Sequence, residues 1–279
     1  MRRSHAVPLA LASLALVAAG LLAPQSASAD AAAATAAAPA AADGAPPGTP
    51  TAHSFDGTPT VGAIFRGPLA DGHECSGSVI ASPTDDLVLT AAHCVYGDTS
   101  AWSFVPGYVD GRAPYGVWKI SAAYVDPAWQ KEGDTQSDYA ILRIAPQTID
   151  GRARRIQQLT GANLLGTAPR AGTTITDPAY NAGVDDQPIT CTAKVYYTDG
   201  YPGFNCSNYQ GGVSGSPFLA AGPHGTHVVV GLIAGLHQGG CFDYTSYSPR
   251  LTTRVYATYL RAVLHARPDT VVPPGSDGC

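Results

Sequence analysis

GGVSGSP, residues 211–217, is the stretch on which the reading of this chain turns. Its trailing Pro217 and Phe218-Leu219 set it apart from an ordinary glycine- and serine-rich loop. Two further strings precede it, TAAHC at 90–94 and DYAIL at 138–142. Together they place His93, Asp138 and Ser214 in the order histidine, aspartate, serine. That set of side chains serves nucleophilic acyl transfer. Ser214 attacks, His93 takes its proton and returns it to the leaving group, and Asp138 holds the imidazole tautomer and stabilises the imidazolium.

The residues around each position support its role. The apolar run Leu87-Val88-Leu89-Thr90-Ala91-Ala92 ends in small residues that let the chain turn and present His93 to a cleft. Asp138 leads into Tyr139-Ala140-Ile141-Leu142, where a carboxylate is costly unless it is paired, so it is preferred over nearby Asp134. The backbone N–H groups of Gly212 and Ser214 are expected to form an oxyanion hole, worth a few kcal/mol in the transition state. Glycine at 212 lets that N–H face the cleft without a Cβ clash.

Composition bounds the fold. The 279 residues are 45% hydrophobic and 13% charged, enough to bury a substantial core. With 31 glycines, 23 prolines and a single methionine, turn chemistry outweighs long helical periods and an all-β body is expected. A net charge of −5 carries no basic footprint, so nucleic acid is not an expected partner.

Arg2 and Arg3, an apolar stretch from Val7 to Leu22, and the small residues Ala27-Ser28-Ala29 read as an export signal over 1–29. Residues 30–52, rich in alanine with Pro39, Pro46, Pro47 and Pro50, read as a pro-segment or linker outside the fold. The remaining 53–279 form the expected domain. All six cysteines follow the signal, an even count that fits three disulfides in an exported protein. Strands are expected at Val61–Phe65, Cys75–Ile80, Leu87–Thr90, 139–144, 190–197 and 227–236, divided by turns such as Asp71-Gly72, Pro106-Gly107 and Asp110-Gly111. Leu251, Val255, Tyr259 and Ala262/Val263 recur at helical spacing and predict a C-terminal helix.

The three strings resemble those of the chymotrypsin/trypsin-type serine endopeptidases, over residues 58 to 265. The resemblance implies two packed six-stranded antiparallel β-barrels, an active-site cleft between them and no cofactor. It implies protein or peptide substrates, a secreted monomer, and no membrane association once the signal is removed. It also implies a Cys75–Cys94 disulfide pinning the histidine loop. Two departures stand out. The trypsin pattern has an aspartate where this chain has Val213, which cannot pair with a newly released amino terminus. Ser216 replaces a glycine. The GxSGSP form and the string Gly235-Leu236-His237-Gln238-Gly239-Gly240 are similar to secreted bacterial glutamyl endopeptidases of the staphylococcal type. There, a histidine at the position of His237 contacts the substrate's glutamate carboxylate, so an acidic residue before the cut is expected. That group has a threonine where this chain has Tyr209, and Asn208 falls at the base of the substrate pocket.

Cys191, Cys206, Cys241 and Cys279 allow two pairings: Cys191 with Cys206 and Cys241 with Cys279, or Cys206 with Cys241 and Cys191 with Cys279. No metal is expected, since no HExxH or paired CxxC occurs and His224 and His227 flank a turn. An α/β-hydrolase would need glycine at 216 and its acid and histidine after the serine. A catalytically silent, protease-like binding module is the remaining alternative. A neutral His93 as base predicts activity that falls as pH drops through roughly 6 to 7.

Overall fold

The computed structural model describes residues 44–279. The expected export signal and residues 30–43 lie outside the described residues. A two-residue strand, β1 (His53–Ser54), precedes six strands rich in β-branched and aromatic residues: β2 (Val61–Phe65), β3 (Cys75–Ile80), β4 (Leu87–Thr90), β5 (Ser103–Pro106), β6 (Trp118–Val125) and β7 (Ala140–Ile144). They close into an antiparallel barrel in the order β2-β3-β4-β7-β6-β5. Closure removes every edge, so no backbone row is left to pair elsewhere. Trp118, Tyr124, Phe104, Ile64, Leu87 and Leu89 lie in its wall and are fully buried.

Between β6 and β7 runs helix α1 (Pro127–Glu132). Asp126 caps it by accepting from Ala128 N, Pro127 opens it, and Gly133 ends it at a left-handed φ of 63°. A hairpin, β8 (Gln147–Ile149) with β9 (Arg152–Arg154), and helix α2 (Ile156–Thr160) lead into the second half.

There the strands are β10 (Leu164–Leu165), β11 (Thr174–Ala179), β12 (Ile189–Lys194), β13 (Tyr196–Thr198), β14 (Tyr201–Asn205), β15 (Pro217–Ala221), β16 (His227–Leu232) and β17 (Thr245–Tyr247). They form a six-stranded sheet, β1-β12-β11-β15-β16-β10, and a separate three-stranded sheet, β13-β14-β17. The second half is thus built from two sheets, while hydrogen-bonded closure belongs to the first. The expected strand at 190–197 is divided at Val195 into β12 and β13; Val195 N donates to Thr173 O (2.9 Å), the last contact with the β11 side before the chain pairs with β14 instead. The expected strand at 227–236 stops at Leu232, because the residues after it serve the site.

Residues 50–52 belong to the fold and not to the linker expected there. Ser207 N donates to Pro50 O (2.8 Å), Ala52 N donates to Ser207 O (2.9 Å), and Ala52 is buried. The C-terminal helix α3 (Arg254–Val263) starts three residues after Leu251, which is buried in the preceding turn. Its Val255 and Ala262 join the core of the first barrel, and it packs on β6 and β7. The chain beyond α3 then crosses the first barrel. Asp269 N donates to Ala123 O (2.9 Å), Gly97 N donates to Val271 O (3.1 Å), and Val271 is 2% exposed.

Candidate active site

His93 follows β4 directly, in a turn clamped by the Cys75–Cys94 disulfide to β3. Its backbone N–H donates to Asp138 Oδ1 (2.9 Å) and its Nδ1–H donates to Asp138 Oδ2 (2.7 Å). A third donor, Gly235 N, reaches Asp138 Oδ2 (2.9 Å). Asp138 is completely buried, and three donors offset what burial costs a carboxylate. The Nδ1 bond leaves Nε2 of the neutral ring as the basic nitrogen. Asp134 has the other job available to an aspartate here. It caps the turn Thr135–Ser137, accepting from Gln136 N (3.1 Å) and Ser137 Oγ (2.8 Å).

Ser214 sits on the loop before β15, and that loop is bonded to the first barrel. Ser76 N on β3 donates to Ser214 O (2.7 Å), and Ser76 Oγ donates to Gly212 O (3.0 Å). Gly215 packs so closely that a Cβ there would lie 2.2 Å from Thr90 Oγ1 and 2.3 Å from Ser76 O. Ser76 was not anticipated; its signal is the polar CSGSV beginning of a strand that should be apolar. Among the described residues no hydrogen bond joins Ser214 Oγ to His93. Catalytic hydrogen bonds are often long or misaligned before substrate arrives.

Along residues 212–216 three of the five backbone donors are paired. Val213 N donates to Gln210 O (3.4 Å), Gly215 N to Ile233 O (2.7 Å) and Ser216 N to Val213 O (3.0 Å). The N–H groups of Gly212 and Ser214 have no acceptor among the described residues. The carbonyl of Gly211 is held by Ala182 N (2.6 Å), so the planar peptide turns the Gly212 N–H away from Ala182.

Beneath this loop lies a carboxyl that sequence reasoning missed. Asp177 on β11 is fully buried and accepts from Ser216 Oγ (2.8 Å), while its Oδ2 has no partner among the described residues. With no cation beside it, burial pushes this carboxyl well above its usual range. Its signal was alternation, since it shares a strand face with buried Ile175 and Ala179.

A depression of about 260 Å³ opens beside Ser214, lined among others by Tyr209, Val213, Ile233, His237, Asp243 and Asp277. Tyr209 turns its hydroxyl away from it, donating to Asp177 O (2.5 Å). Asn208 is not in the lining, contrary to its expected place at the pocket base. It stands at φ 77°, its carbonyl accepting from Asn181 Nδ2 (3.1 Å). His237 is in the lining, on the turn Leu236–Gly239 rather than on a strand, and its Nδ1–H donates to Asp277 O (3.1 Å). Cys191 pairs with Cys206 and Cys241 with Cys279, which resolves the open choice. His224 and His227 are both exposed.

A profile of the trypsin family matches residues 50–260. The chain belongs to the trypsin family. That makes this trypsin-family chain a serine-type endopeptidase by class, acting on peptide bonds. Solved structures share its fold. The protease Anisep from Arthrobacter nicotinovorans has a TM-score of 0.62 at 24% identity, over 77% of this chain and 100% of that one. A Glu endopeptidase has 0.58 at 21%, over 78% and 98%. Human heparin binding protein has 0.58 at 16%, over 81% and 99%. At these identities the likeness shows the fold alone. No curated protein matches the sequence.

Proposed function

We propose that this trypsin-family chain is an exported serine endopeptidase that works through His93, Asp138 and Ser214. The observation that carries the reading is the buried His93–Asp138 pair, 2.7 Å apart, together with the N–H groups of Gly212 and Ser214, which have no acceptor among the described residues. Ser214 Oγ attacks the substrate carbonyl as its proton passes to His93 Nε2. Asp138, already accepting from Nδ1, stabilises the imidazolium that forms. The N–H groups of Gly212 and Ser214 receive the oxyanion. His93 then protonates the departing amine, and water releases the acyl group by the same steps in reverse.

Three disulfides fit an oxidising compartment, and no described helix is long and apolar enough to cross a membrane. All groups of the site come from one chain, which fits a monomer and needs no cofactor. His237 lines the depression beside Ser214, the one observation favouring an acidic residue before the cut; the carboxylates of Asp243 and Asp277 share that lining and oppose it. A silent binding module is the second reading, since the same fold occurs in a protein named for binding heparin.

The test is cleavage of a diverse peptide library by the secreted protein beside a Ser214→Ala control. Cuts that vanish in the control support the triad. A wild type that cuts nothing, even after removal of residues 30–43, leaves the binding module.

A further inference from the structure

Between β11 and β12 the chain makes a loop, residues 180–188, that reaches the loop carrying Ser214 with one end and the first barrel with the other. At its start Ala182 N donates to Gly211 O (2.6 Å), and Asn181 Oδ1 accepts from Gln210 N (2.9 Å). These bonds meet the chain at the peptide between Gly211 and Gly212, whose N–H is proposed to receive the oxyanion.

The far end is held by His73, two residues before the start of β3. His73 N donates to Gly183 O (3.2 Å). Its Nε2–H donates to the Asp186 carboxylate, 2.9 Å from Oδ1 and 3.1 Å from Oδ2. Two more bonds dock this end on the first barrel's side: Asp110 N donates to Asp186 O (2.8 Å) and Asp185 N to Tyr108 Oη (3.1 Å). The His73 side chain is fully buried, caged edge-on by Phe65, Tyr108 and Tyr180 with ring centroids 5.5 to 5.6 Å away. Its Nδ1 has no partner among the described residues. An apolar side chain would fill this cage without leaving a buried nitrogen unpaired. What histidine adds is one N–H aimed at an acceptor across the two halves of the chain.

We propose that His73 and Asp186 are a positioning pair for acyl transfer. They hold the 180–188 loop on the first barrel, so that Ala182 keeps the Gly211 carbonyl turned away and the Gly212 N–H turned toward the oxyanion. The inference rests on the reading of Ser214 as nucleophile and Gly212 as oxyanion donor. Neither Gly211 nor Gly212 has a Cβ to oppose rotation of the peptide between them. Released from Ala182, that peptide can turn a carbonyl to the place where the oxyanion needs a donor. The pair itself touches no substrate, so its removal acts on the transition state: kcat falls and KM holds.

The experiment measures kcat and KM for a small uncharged ester and for a peptide, with the full secreted chain and its variants, alongside melting curves for the folded fraction. Asp186 is a mild place to cut the bond, its side chain being a quarter exposed. Asp186→Ala should lower kcat per folded molecule about 10- to 100-fold on both substrates, with KM changed less than about twofold. Asp186→Asn keeps an oxygen for His73 Nε2–H and should recover most of that loss. His73→Leu, which fills the cage, is a second route to the same loss, and His73→Gln, which restores an N–H, should lose less. Added to Gly212→Ala, Asp186→Ala should cost less than about threefold, since both act through one N–H. An unchanged kcat per folded molecule in Asp186→Ala, a loss carried by KM, or losses that multiply in the double variant overturns the positioning role and leaves the triad standing. A wild type that hydrolyses neither substrate overturns the triad and the positioning pair together.

Discussion

At Gly212 a Cβ would lie 2.1 Å from Ala182 N, and the backbone stands at φ 103°. Gly212→Ala must therefore move the peptide whose N–H is proposed to receive the oxyanion. A loss of about 10²–10³ in kcat, the usual cost of one oxyanion donor, is expected together with a lowered melting temperature from the clash, and the loss in kcat should exceed what the unfolded fraction explains. A drop in Tm with kcat retained would remove Gly212 from the mechanism. Asp177 works in the opposite sense. Its carboxyl is raised by burial, so the stability it contributes is full below the ordinary value of 3.8 and is lost as pH rises toward the folded value. Asp177→Asn keeps an acceptor for Ser216 without the ionisable proton. Melting curves against pH should show the variant above the wild type at pH 7 to 8 and the two converging near pH 4. Parallel curves would mean that Asp177 does not titrate in this window.

Short elements hold the site, and they differ in how far the sequence foretells them. The TAAHC, DYAIL and GGVSGSP strings were readable because each is a local signature whose chemistry needs neighbours in sequence. The strand end at Leu232 was not. Ile233 and Ala234 continue the apolar run, but the next residue, Gly235, gives its N–H to Asp138, a partner 97 positions away. Asn208 was misplaced for a similar reason: spacing counted back from Ser214 cannot reveal that the chain turns left-handed there. The Cys75–Cys94 bridge spans 19 residues and joins the strand that grips Ser214 to the turn that carries His93. Replacing both cysteines by serine should cost about 3 kcal/mol in denaturant unfolding. It should also lower kcat by more than the unfolded fraction explains. Loss of stability alone would show that the bridge holds the barrel and not the histidine.

Across the whole molecule, Asp126 joins three regions. It caps α1, accepts from Tyr139 Oη (2.9 Å) beside Asp138, and accepts from Arg254 Nη2 (2.6 Å) at the start of α3. Asp126→Ala leaves the buried Tyr139 hydroxyl unpaired and α1 uncapped, for about 2–3 kcal/mol of lost stability by equilibrium unfolding. A change under about 0.5 kcal/mol would show that α3 docks through its apolar face alone. The all-β plan and the helix followed from turn chemistry and helical spacing. The return of residues 267–279 did not, because RPDTVVPPGSDGC has neither period and its anchors are a disulfide and single hydrogen bonds.

Ser76 gives its N–H to Ser214 and its hydroxyl to Gly212, so the register of the loop carrying Ser214 is written in the other half of the chain. Separated at the β8–β9 hairpin, a fragment beginning at residue 152 would carry the serine yet lack the template that shapes its loop. Neither piece alone would hydrolyse an ester. Mixed together, they would regain activity only to the extent that they re-associate, so the appearance of catalysis would report docking of the two halves and could serve as a reporter for it.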